Sequence, residues 1–168
     1  MKKIIRFKVR EIPSMPKDIK IKCASCGFMN SEEIEDISEI GVQNIIERVR
    51  NGEYSSLFLS PDEDGDFEYL KLETSEEMIF LQILDEESWS CYDPKYLDSD
   101  EIAPFEVDDG FIDLSVKKWM IRTEDMCLGE GLPEMKYAIR DWDLAAKCVE
   151  WYIHTLEPYP GANWLKLA

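Results

Sequence analysis

The chain has 168 residues, 45% of them hydrophobic and 33% charged, and a formal net charge of −17. That length buries a core without disulfide or metal staples, and no apolar run approaches the roughly 20 residues needed to span a bilayer. Five cysteines at wide, irregular spacings do not make a disulfide framework, and Arg6, Lys8 and Arg10 interrupt any signal-peptide core, so a reducing cytoplasm is expected.

The charge is unevenly spread. Residues 1–30 carry eight Lys or Arg against Glu11 and Asp18, a balance of +6, so the remaining 138 residues carry −23. A negative field of that size repels phosphate backbones and disfavours direct binding of nucleic acid, while it accelerates encounter with a basic protein. Many soluble proteins are acidic only because charge suppresses association.

Taken in order, Ile5, Phe7 and Val9 alternate with Arg6 and Lys8, the period of a half-buried strand, and Pro13 to Pro16 then punctuate the chain. Ile19 and Ile21 hint at a second strand running into Cys23 and Cys26, where "KCASCGFMN" is expected to turn towards a helix. Asn30-Ser31-Glu32-Glu33 predicts that helix opening, with Ile34 and Ile37 inward. Gly41 predicts a kink or split, after which Val42, Ile45, Ile46 and Val49 continue the helical period to a stop at Asn51-Gly52.

From Tyr54 the texture is β. "YSSLFL", "FEYLKLE", "EMIFLQIL" and "SWSCY" are short runs of branched and aromatic residues with acidic or Gly-containing breaks, which predicts an antiparallel meander with Asp64-Gly65 in its first turn. Asp93 to Gly110, acidic and with Pro94 and Pro104, is expected to be a long surface loop plus an edge segment. Further strands are expected near Phe111 to Leu114, Trp119 to Arg122 and Met135 to Ile139. Asp141-Trp142-Asp143 opens a last helix whose apolar face is Leu144, Ala145, Cys148, Val149, Tyr152 and Leu156. Asn163 to Leu167 is expected to dock as a final strand or clip. The sum is an α+β single domain over 1–168, a basic β segment (1–30) followed by an acidic helix–meander–helix body (31–168), with the antiparallel meander packed against an N-terminal-half helix and a C-terminal helix.

Chemistry-bearing patterns are sparse. Cys23-x-x-Cys26 supplies half a tetrahedral zinc site, and no second half occurs in sequence, where Cys91, Cys127, Cys148 and the single histidine, His154, stand apart. Asp62, Asp64, Asp66 and Glu73 match positions 1, 3, 5 and 12 of a calcium loop, but Phe67 stands where the sharp turn needs glycine. Cys148 and His154 lie about 240° apart around a helix, so they make no nucleophile–base pair, and Glu150 is the expected surface partner of His154. No catalytic, cofactor-binding or metal residue is assigned.

The strongest signal is for partner recognition. Asp85, Glu86, Glu87, Asp98, Asp100, Glu101, Asp108 and Asp109, with Glu106, flank the aromatics Trp89, Tyr92, Tyr96 and Phe105. Aromatic anchors ringed by one charge are the composition of a steered binding surface. The competing reading turns those aromatics into the core beneath a solvated acidic loop.

The order of elements resembles the small acidic immunity proteins of bacterial polymorphic or contact-dependent toxin systems: a helix closing on Asn51-Gly52, an acidic meander, and a C-terminal helix running into a proline segment with Trp164. The ending "AAKCVEWYIHTLEPYPGANWLKL", residues 145–167, carries most of the likeness. The resemblance implies a stoichiometric inhibitor of a cognate basic toxin, often a nuclease, acting in the cytoplasm without catalysis or cofactor. Two other classes stay open: a zinc-binding adaptor using Cys23 and Cys26, and an acid-dependent enzyme.

Overall fold

Alternation of buried and part-exposed positions along the central runs of apolar residues builds the middle of one sheet. The computed structural model describes residues 4–28, 31–34, 36–63, 67–75, 78–95 and 138–167. In these, β1 (Ile4–Phe7), β2 (Cys23–Phe28), β3 (Ser31–Ile34), β4 (Ser56–Ser60), β5 (Tyr69–Ser75), β6 (Met78–Leu84), β7 (Ser88–Tyr92) and β8 (Asn163–Leu167) join helices α1 (Glu39–Arg50) and α2 (Trp142–Thr155). The eight strands form one sheet of order β1-β8-β7-β6-β5-β4-β2-β3, with every ladder antiparallel. The expected meander is β4 to β7, and the expected C-terminal strand is β8, inserted between β1 and β7.

Register fixes what each face carries. Ala24 and Cys26, Leu57 and Leu59, Leu70 and Leu72, and Ile79, Leu81 and Ile83 are all buried and stand side by side across the ladders. The same core takes in Ile45 and Val49 of α1 and Cys148, Val149 and Tyr152 of α2. This is the α+β architecture expected, with the sheet packed against both helices. Near β7 and β8 the other face is also closed: Tyr92 and Leu165 are buried, while further along it Phe58 and Tyr69 lie with ring centroids 5.0 Å apart.

The first helix begins later than expected, and Ser31–Ile34 is the strand β3 paired with β2. Ser38 is the cap: its hydroxyl accepts from Gly41 N at 3.2 Å, and its own amide and hydroxyl donate to the Asp36 carboxylate at 3.0 and 2.7 Å. Those bonds hold the Asp36 carboxyl below its ordinary range. Gly41 does not split the helix, which runs unbroken from Glu39 to Arg50. A Cβ there would lie 2.0 Å from the Asp36 carbonyl oxygen, so glycine is what lets the chain fold back onto the first turn.

At the other end the expected stop is present. Gly52 takes φ +68°, its amide donates to Val49 O, and Glu53 N donates to Arg48 O, the paired bonds that close a helix through a left-handed residue. Asp141 caps α2 through Leu144 N at 3.1 Å. Its burial is broader than one face, since Ala146, Trp151, Ile153 and His154 are covered as well. Of the segment expected as an acidic loop only residues 93–95 are described, and the strands expected near 111–114 and 119–122 lie outside the described residues. Of the last expected strand, Ile139 makes a single antiparallel bridge to Ile79.

Candidate functional site

The Cys23 and Cys26 pair does not form a turn. Both lie in β2, three residues apart, and side chains in a strand alternate, so the two sulfurs project from opposite faces of the sheet. Cys26 is buried in the core, while Cys23 is part-exposed and its thiol donates to Asp62 O at 3.2 Å. Cys91 sits on β7, four strand steps from β2, or about 19 Å at the usual spacing. It lies against Cys148 instead, and burial, with that neighbouring thiol, pushes the Cys148 thiol well up. His154 makes no surface pair: it is 8% exposed, and its Nδ1 lies 2.8 Å from Asp18 O. Among the described residues no three His, Cys, Asp or Glu side chains come together as metal ligands do. Asp62, first of the calcium-loop acids, accepts from Phe67 N and Glu68 N and closes the β4–β5 connection.

The acidic patch is described in part. Asp85, Glu86 and Glu87 form the β6–β7 turn, where the Asp85 carboxylate accepts from Glu87 N at 2.7 Å. Glu87 pairs with Lys166 of β8. The Lys166 ammonium stands 5.1 Å from the Trp89 ring centroid and 6.0 Å from that of Phe7, and the two rings are 5.1 Å apart. One cation thus links an acid to an aromatic pair. Trp89 and Tyr92 do not share this surface. They are three residues apart on β7, so they face opposite ways: Tyr92 is 3% exposed on the far face, and Trp89, half-buried, packs against the hydrophobic core. The core reading of the aromatics holds for Tyr92 and in part for Trp89. Tyr96, Asp98, Asp100, Glu101, Phe105, Asp108 and Asp109 lie outside the described residues.

What sequence reasoning missed is a groove beside this hairpin. It encloses about 320 Å³ between β1, the β6–β7 turn and the loop after α2, and Phe7, Arg10, Asp85, Trp89, Glu157 and Tyr159 are among its lining residues. The loop is held in place from several directions. Arg10 N donates to Pro160 O at 2.9 Å, Trp164 Nε1 donates to Tyr159 O at 2.9 Å, and Leu156 reverses the chain through a left-handed conformation at φ 62°. A Cβ on Gly161 would meet the Tyr159 ring at 2.5 Å, so glycine there admits the ring. The groove combines aromatic walls with both signs of charge, Lys8 and Arg10 against Asp85 and Glu157. Such a lining suits an extended polypeptide better than a small apolar molecule. Its only local trace in sequence is the proline pair Pro158 and Pro160 around Tyr159. The rest comes from elements far apart in the chain.

Comparison with protein-family models, with curated proteins and with solved structures finds no match.

Proposed function

We propose that the protein is an immunity-type inhibitor that binds a cognate bacterial toxin of basic charge and neutralises it stoichiometrically in the cytoplasm, with no catalysis and no cofactor of its own. The observation that carries this reading is the charge: residues 31–168 hold −23 against +6 on residues 1–30. A field of that sign raises association with a basic protein by roughly 10- to 1,000-fold, and buried aromatic anchors then slow release. The β6–β7 turn supports the reading, because Asp85 lines an open groove together with Trp89, and Glu86 and Glu87 follow it in the same turn. No helix among the described residues is long and apolar enough to cross a membrane.

Co-expression with any basic protein encoded beside this gene that is toxic on its own is the direct test. Protection of the cell and a complex isolated at low salt are expected. Neither appearing would reject the proposal. Reversing Glu86, Glu87, Asp98, Asp100 and Glu101 to Lys should slow association at least tenfold at low ionic strength while leaving the fold intact. An unchanged association rate would move the interface away from residues 85–109.

A further inference from the structure

Ten residues between β1 and β2, Lys8 to Lys17, have no regular secondary structure and are exposed throughout. They form a strap tied at both ends. Arg10 N donates to Pro160 O, and past the far end Lys20 N donates to Ile153 O while Asp18 O lies 2.8 Å from His154 Nδ1. None of the ten takes a left-handed backbone conformation. Between the ties, Val9, Ile12 and Met15 are 56%, 48% and 38% exposed, three of the five large apolar side chains left exposed among the described residues.

The residue types of the strap sort onto a three-fold rod. Pro13 and Pro16 hold their own φ at about −65° and drive Ile12 and Met15, each before a proline, to extended or polyproline conformations. A polyproline helix has three residues per turn, so every third residue falls on one edge. Val9, Ile12 and Met15 make one edge, Arg10, Pro13 and Pro16 the second, and Glu11, Ser14 and Lys17 the third. Two adjoining edges are therefore apolar with a guanidinium at the front, and the third is wholly polar. Arg10 stands one full turn ahead of Pro13, in line with both prolines. It borders the groove described above, yet it is exposed, and among the described residues no ion pair holds its guanidinium.

We propose that Arg10 to Pro16 is a polyproline-type ligand for a second protein carrying an SH3-type groove, a row of aromatic rings with carboxylates at one end. The two apolar edges seat between the rings, as Pro-x-x-Pro segments do, and the carboxylates take Arg10 in a charge-assisted pair. The polar edge stays in water. The length engaged is roughly 19 Å at about 3.1 Å per residue. The ties at both ends and the two prolines fix the strap before it docks, so little ordering is left to oppose binding. Charge separates this partner from a basic toxin: Lys8, Arg10 and Lys17 against Glu11 give the strap +2, which repels a basic surface and suits an acidic one. At physiological salt the screening length is about 8 Å, so the acidic body does not decide an encounter at the strap. The inference stands apart from the toxin-inhibitor reading.

Calorimetric titration of the full chain, at physiological salt, with a purified SH3 domain that selects an arginine one turn ahead of two prolines tests it. One-to-one binding with Kd below about 100 μM is expected. Pro13→Ala together with Pro16→Ala should weaken it by about tenfold or more, and so should Arg10→Glu, with far-UV circular dichroism unchanged because these side chains lie outside the core. Glu11→Gln together with Ser14→Ala, on the polar edge, should stay within about twofold. Absence of binding overturns the proposal, as does binding indifferent to the proline pair. A loss confined to Arg10→Glu marks a plain charge contact and overturns the polyproline assignment. A loss on the polar edge equal to that at the prolines overturns the assignment of edges.

Discussion

The two ends of the sheet differ in how they are encoded. At one end, β2 carries the most recognisable pattern in the chain, Cys23 and Cys26, and strand alternation sends its two sulfurs to opposite faces. At the other, β1, β7, the hairpin before β7 and the loop after α2 supply Phe7, Trp89, Asp85 and Glu157 to one groove, and no two of these are neighbours in sequence. A spacing motif has meaning only for the element that carries it. Two cysteines three apart meet one ion across a tight turn and cannot do so along a strand.

The largest effect expected from a single change falls at the groove end. Trp164 is 2% exposed, and its indole N–H holds Tyr159 O. Trp164→Ala should cost about 3–5 kcal/mol in urea unfolding, since it leaves a cavity and releases the loop that forms one wall. A loss below about 1 kcal/mol would mean that this loop is fixed by other contacts.

The contrast within β2 comes next. Cys26→Ser places a hydroxyl in the core and should cost about 1–3 kcal/mol, whereas Cys23→Ser keeps a donor for Asp62 O and should stay within about 0.5 kcal/mol. Equal losses at the two positions, accompanied by bound zinc, would show a shared ligand role and break the comparison.

Strands β4 to β6 were legible because alternation survives wherever one face is buried, β7 was legible as a short aromatic run after an acidic break, and both α2 and the end of α1 were legible from Asp141 and from Asn51-Gly52. The start of α1 was not. Ser31-Glu32-Glu33 and Ser38-Glu39 are equivalent as local capping signals, and pairing of β3 with β2 decides between them. Nor was His154, where the expected Glu150 partner is local and the actual one, Asp18 O, is 136 residues away. The groove follows the same rule, since its walls are brought together by the order of strands in the sheet, which no window of sequence contains.

Tyr152 sits where both ends of the sheet are felt. Burial pushes its phenol up from the ordinary 10.0, and the negative charges of Glu68, Asp85, Asp62 and Cys23 add to the shift in that order. The neutral phenol is therefore favoured in the folded state. Its contribution is fully present below about pH 10 and is lost as pH rises beyond that value. Tyr152→Phe should leave neutral stability nearly unchanged and move the alkaline unfolding midpoint upward. A midpoint that stays put would assign the alkaline loss to Tyr69 or Cys148, which burial also raises.

A small effect probes the rim of the groove. Lys166 pairs with Glu87 and covers the Trp89 ring, and their side chains are 20% and 33% exposed, so solvent screens much of the attraction. Lys166→Met keeps the aliphatic cover and removes the charge, which should cost only about 0.5–1 kcal/mol. A double-mutant cycle with Glu87→Gln isolates the ion pair from the ring contact, and a coupling below about 1 kcal/mol is expected. Coupling well above that would mean the pair is locked before any partner arrives, making this rim a structural clamp. Weak coupling leaves Glu87 free to exchange Lys166 for a cation on an incoming protein, which distinguishes a binding rim from the fixed core at the other end of the sheet.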